Sequence, residues 1–164
     1  MSHLNVFIHS LREELKQFGE MLALLDQQQD AVVTCQANTV LETVEALHAQ
    51  SEVIKSSRQE REQCQRALAK DLGQSEDIEV STLIAVCPAD YRPLLGALVQ
   101  ENHELLLRVH QRAKQNQLLL NRSLLTMQAL IGSLCAATAP QVYTGTGNIF
   151  PARTSGRVLC EAVA

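Results

Sequence analysis

The feature that most constrains this chain is the alternating four- and three-residue recurrence of Leu4, Ile8, Leu11, Leu15, Phe18, Leu22 and Leu25. An average spacing of 3.5 residues places these side chains along one line of an α-helix, and such a line must be covered by other helices. Glycine and proline are sparse before Pro140, so little interrupts helical structure up to that point. The first helix is expected over residues 3–37, which at 1.5 Å per residue is about 50 Å.

Thr39-Val40-Leu41-Glu42 has the form of a capping box, with the Thr hydroxyl taking an orphan amide and Glu42 reaching back, so a second helix is expected to start there. Val40, Val44, Leu47, Ile54, Leu68 and Leu72 continue the spacing, and Gly73 suits a C-terminal stop. In its middle the seam positions are Ser51, Arg58, Arg61 and Gln65. Either the stripe changes register there, or the stretch packs loosely and awaits a partner.

Val80, Leu83 and Ile84 fit a short helix that Pro88 terminates, and Asp90 can cap a third long helix carrying Pro93 in its first turn. That helix is expected to reach Ala137. It opens with Leu94, Leu95 and Leu98, passes Asn102, Leu105, Val109, Arg112 and Asn116, and ends with Leu119, Leu124, Met127, Leu130, Ile131 and Leu134. The closing turns are apolar on more than one face, beyond what a single neighbouring helix covers, which makes them a candidate partner surface. Asn102, Arg112 and Asn116 would fix register more than add stability.

The fold class that follows is all-α: an elongated antiparallel helical bundle or coiled coil of three long helices plus one short helix, followed by a Gly/Pro-containing C-terminal tail. A 46% apolar content supports a core, and with aromatics at 3% and no Trp that core is a narrow aliphatic seam. The expected division is a helical bundle over 1–139 and a flexible partner-binding tail over 140–164. Val142, Tyr143, Ile149, Phe150, Val158 and Leu159 in that tail can dock on a groove or form a short helix or strand with a partner.

Fourteen Lys and Arg against eighteen Asp and Glu give a formal charge of −4, without the basic stripe that neutralises phosphates, so no nucleic-acid partner is expected. Five cysteines, spread from 35 to 160 and never in a C-x-x-C pair, fit reduced thiols better than disulfides or zinc. The charged residues at 12 to 16 break any secretory leader, and neither a signal peptide nor a membrane span is expected, hence no membrane insertion and a cytosolic setting. No catalytic constellation converges. His103 and His110 are two turns apart, too far for a simple ligand pair, and Gly145-x-Gly147 lacks the strand and helix of a phosphate loop. No cofactor, metal or enzymatic activity is expected.

The run Asn116-Gln117-Leu118-Leu119-Leu120, carried through Leu124 and Leu130 to Leu134 and then into Pro140-Gln141-Val142-Tyr143-Thr144-Gly145-Thr146-Gly147-Asn148, resembles the FlgN family of flagellar type III export chaperones. That family has an Asn followed by a Leu pair, a final amphipathic helix and a Pro-x-apolar-Tyr-x-x-x-Gly tail. Ile54-Lys55 with Arg58 and Arg61 is similar to the family's basic positions on the second helix, whereas Ser51-Glu52 and the sequence after Gly147 depart from its pattern.

The resemblance implies a cytoplasmic protein that covers the aggregation-prone terminal helices of hook–filament junction proteins before secretion. It assigns client binding to Leu119, Leu124, Met127, Leu130, Ile131 and Leu134, and docking on an export gate component to Tyr143. A homo-oligomer in the client-free state is a further expectation. The alternative reading of the same stripes is a structural coiled-coil adaptor or scaffold that does not release a client.

Overall fold

The computed structural model describes the backbone of residues 2–137, 141–143 and 149–151, and side chains over 3–135. Its elements are α1 (Ser2–Val33), α2 (Ala37–Asp71), α3 (Val80–Val86), a 3₁₀ turn (Ala89–Tyr91), α4 (Arg92–Ala137), β1 (Gln141–Tyr143) and β2 (Ile149–Pro151). The chain divides into two compact units, Met1–Leu120 and Asn121–Ala164. The division falls inside α4, which crosses it unbroken, whereas the expected boundary at 139/140 marks the change in composition.

In the first unit α1 is flanked by both other long helices. Its Glu14 meets Arg61 and its Gln17 meets Gln50, so α2 runs antiparallel to it. From α4, Asn102 donates to the Leu11 carbonyl and Asn116 to the Leu25 carbonyl. Both pairs are separated by 91 residues, so α4 runs parallel to α1 in one constant register.

The line read from the sequence is the inner one: Leu4, Ile8, Leu11, Phe18 and Leu25 are buried, with Leu15 and Leu22 half-buried. A second line, Phe7, Ser10, Glu14, Gln17, Met21 and Gln28, is buried as well. Two buried lines are what a helix with neighbours on two sides requires. The apolar core lies where all four helices meet, with Phe7 and Leu11 of α1, Leu68 and Ala69 of α2, Leu83 of α3, and Leu95 and Leu98 of α4.

The helix ends follow local chemistry. Residue Gly73 has φ +68°, its amide reaches the Lys70 carbonyl and that of Gln74 reaches Ala69, which is the expected left-handed stop of α2. The first helix closes in the same way at Val33, four residues before the expected end, with Cys35 at φ 56° and Gln36 bonded to the Ala31 carbonyl. The capping box at Thr39 does not form. With α2 starting at Ala37, Thr39 is already inside the first turn and its hydroxyl donates to the Gln36 side chain at 3.3 Å. Asp90 lies in the 3₁₀ turn instead of capping α4, and Pro93 occupies the first turn, where no amide donor is needed.

In the second unit β1 and β2 pair antiparallel, with Val142 opposite Phe150 and Tyr143 opposite Ile149. This short pair is a small addition to an otherwise helical fold. Val158 and Leu159 lie outside the described residues.

Candidate functional site

Two regions of the sequence were open to a partner: the polar middle of α2 and the apolar end of α4. The first is closed. Glu14, 5% exposed, receives Arg61 Nε at 2.8 Å and lies 3.6 Å from Arg58 Nε. Gln65 donates to the Ile78 carbonyl at 2.8 Å and accepts from Arg61. Ser51 is exposed and satisfied locally by the His48 carbonyl. Arg58, Arg61 and Gln65 therefore meet polar partners on α1 and in the connection to α3, whereas the inner line of α2 runs through Thr43, Gln50 and Ser57 in place of the expected Val44, Ser51 and Arg58, of which Val44 is 48% exposed. Glu14, Gln17 and Gln28 escaped the sequence reading because buried polar residues look like a solvated helix face until their partners are known.

The second region is bare. Leu124, Met127, Leu130 and Ile131 are 51–60% exposed, and Leu134 is 67% exposed. Leu119 is half-buried, and the side chain of Tyr143 lies outside the described residues. In the first unit the line of α4 that meets α1 runs through Leu95, Leu98, Asn102, Leu105, Val109, Arg112 and Asn116, and its next positions are Leu119, Ser123 and Thr126. Leu130 is the next position of that line, and Leu120, Leu124, Met127, Ile131 and Leu134 repeat the same spacing one residue on.

Asn102 and Asn116, 7% and 2% exposed, each donate twice through Nδ2, Asn102 to Leu11 and Leu98 and Asn116 to Leu25 and Gln28. The Oδ1 of each is buried without a hydrogen-bond partner. Arg112 Nε lies 2.7 Å from Asp26 Oδ1 and its guanidinium also donates to Gln29. An amide layer with an orphaned acceptor is a costly way to add stability and an effective way to set register.

Among the described residues no three His, Cys, Asp or Glu converge as a metal site, and His103 and His110 are exposed on α4. Burial pushes the Cys87 thiol up, partly countered by the Arg92 guanidinium, which also donates to the Cys87 carbonyl at 2.8 Å. A protonated, fully buried thiol is a packing element, not a nucleophile. By length and composition alone α4 is long and apolar enough to cross a bilayer, a property that core helices of soluble proteins share. That segment also carries Asn121, Arg122, Ser123, Thr126, Gln128 and Ser133.

No curated protein and no solved structure matches the chain with significance. The family model described as FlgN protein matches residues 1–149, which takes in α1 to α4 and the Tyr143 motif. The chain therefore belongs to the FlgN family, a family of flagellar export chaperones.

Proposed function

We propose that this protein is a cytoplasmic chaperone for hook–filament junction proteins, holding a terminal helix of the client on the apolar end of α4 and delivering it to the export gate. Leu119, Leu124, Met127, Leu130, Ile131 and Leu134 form the client face, and Tyr143 docks on a gate component. The observation that carries this reading is the exposure of Leu124, Met127, Leu130 and Ile131 on consecutive turns of one helix. A contiguous apolar surface of that kind marks an interaction site.

The mechanism is helix-in-groove recognition, in which the client's amphipathic helix lays its stripe against that of α4. Burial of about 1,000 Å² at roughly 25 cal/mol per Å² gives a gross term far above the net affinity, because ordering the client helix opposes it. Reversible binding suits delivery.

The test is gel filtration of the full chain with a junction protein. The wild type is expected to elute as a stable heterocomplex, and Leu130→Ala with Ile131→Ala is expected to abolish it while the free variant keeps its helical circular dichroism. Retention of the complex by the double variant contradicts the assignment, as does unfolding of the free variant, which would make these residues core.

A further inference from the structure

The lines that meet α1 are not the only apolar lines on α2 and α4. Beside the inner line of α2, Thr43, Gln50 and Ser57, a second stands one residue on, through Val44, Leu47, Ser51 and Ile54. On α4 the second line is Val99, Leu106, Ala113, Leu120, Met127 and Leu134, apolar side chains at heptad intervals along one unbroken helix. Met127 and Leu134 belong to the proposed client face, and Val99 and Leu106 to the bundle.

In the bundle these second lines border a groove of about 310 Å³, lined by Phe18 and Met21 of α1, Ser51 and Ile54 of α2, and Leu106 and Val109 of α4. Where a fourth helix is present the α4 line is covered: Leu83 of α3, 1% exposed, joins Phe7, Leu68 and Leu95, and Val99 packs against that cluster. One heptad on, at Leu106, only α1, α2 and α4 line the space. Lys55 and Arg58 at its border are taken by Glu52 and Glu14, which leaves His110 and an apolar lining for an incoming segment.

We infer that the client's amphipathic helix occupies this groove as well as the apolar end of α4, taking the fourth position beside α1, α2 and α4. The inference rests on the reading above that α4 takes a client helix. It adds Leu106 of α4 and Val44, Ser51 and Ile54 of α2 to the surface that recognises that helix. Continuity commits the groove to this occupant, because Leu106 stands on the same heptad line as Met127 and Leu134. From Leu106 to Leu134 the line offers about 42 Å of helix, against about 21 Å from Leu120 to Leu134. The longer track gives a client more apolar area to set against the cost of ordering it.

Ser51 is exposed and Val44 is 48% exposed, so both can be changed without opening the core. The test measures the dissociation constant of the full chain for a hook–filament junction protein. Ser51→Trp, which plugs the groove, and Val44→Glu, which charges its wall, are each expected to weaken binding about tenfold with helical circular dichroism unchanged. Val53→Glu, the same change on the opposite side of α2 at 46% exposure, is expected to bind as the wild type. Wild-type affinity in either groove variant overturns the inference, as does equal weakening by Val53→Glu. Tighter client binding by Ser51→Trp also overturns it, because a segment of this chain would then be competing for the groove. So does a change confined to self-association in sedimentation velocity, which would assign the groove to a second copy. The Leu130→Ala, Ile131→Ala variant separates the two readings: full binding by it defeats the client face and this inference together, whereas its loss of binding beside unaffected groove variants defeats this inference alone.

Discussion

Asn116 donates its side-chain amide to the Leu25 carbonyl at 2.7 Å, fourteen residues beyond the place where Asn102 does the same to Leu11. A carbonyl inside a helix has a lone pair to spare, so the contact costs α1 nothing, but it leaves Asn116 Oδ1 orphaned in the interior. Asn116→Leu removes that orphan and is expected to leave stability within about 1 kcal/mol of wild type in a urea titration. Asn116→Asp has the same shape but sets a carboxylate against the Leu25 and Gln28 oxygens, and is expected to cost about 3 kcal/mol or more. A large loss in the Leu variant would show that the amide supplies stability as well as register.

The Glu14 carboxylate is the most deeply buried charge in the described ion pairs, held by Arg61 and Arg58. Glu14→Ala is expected to destabilise the fold by about 2–3 kcal/mol, at the lower end of the range for broken buried pairs, because Arg61 keeps Glu62 and some solvent. Replacing Glu14 and Arg61 together by Leu is expected to recover most of that loss. Equal losses in the single and double variants, measured by denaturant midpoint, would contradict this.

Cys87 and Cys35 are expected to differ sharply towards an alkylating reagent. Cys35 is exposed in the α1–α2 turn, while Cys87 is fully buried with its thiol pushed up by desolvation. Mass spectrometry after brief iodoacetamide treatment should show Cys35 modified and Cys87 intact until denaturant is added. The linkage has a definite sign. Because the unfolded thiol ionises first, the Cys87 contribution is complete below the ordinary thiol range and is lost as pH rises through it towards the higher folded value.

Two left-handed residues close α1 and α2 with different side chains, Cys35 at φ 56° and Gly73 at φ +68°. A Cβ at Gly73 meets nothing within 4 Å, so Gly73→Ala has only a backbone cost, about 1 kcal/mol. Cys35→Gly relieves the same strain and is expected to gain about 0.5 kcal/mol, less than the full strain because glycine also loosens the unfolded chain. Thermal midpoints moving in opposite directions check both.

The sequence carried the parts of this fold that depend on apolar period. The line from Leu4 to Leu25, the stop at Gly73, the short helix around Leu83 and the long helix ending at Ala137 all stand in the structure. Contacts between polar groups were not legible. Glu14, Gln17 and Gln28 have the composition of a solvated face, and only the position of α2 and α4 reveals that they are buried. Thr39 offered the right residue type for a cap, yet the chain turned three residues earlier, through a Cys conformation that no propensity favours. At the candidate site, the surplus of apolar residues was visible in the sequence. The line of α4 that meets α1 was not, and needed the Asn102 and Asn116 contacts to show it.

The most direct measurement is amide hydrogen–deuterium exchange along α4 in the free protein and in its mixture with a hook–filament junction protein. The proposed client face requires new protection over Leu118–Leu134 on binding, with the α1–α4 contacts at Asn102 and Asn116 unchanged. Protection appearing elsewhere, with Leu118–Leu134 exchanging as in the free protein, would contradict it.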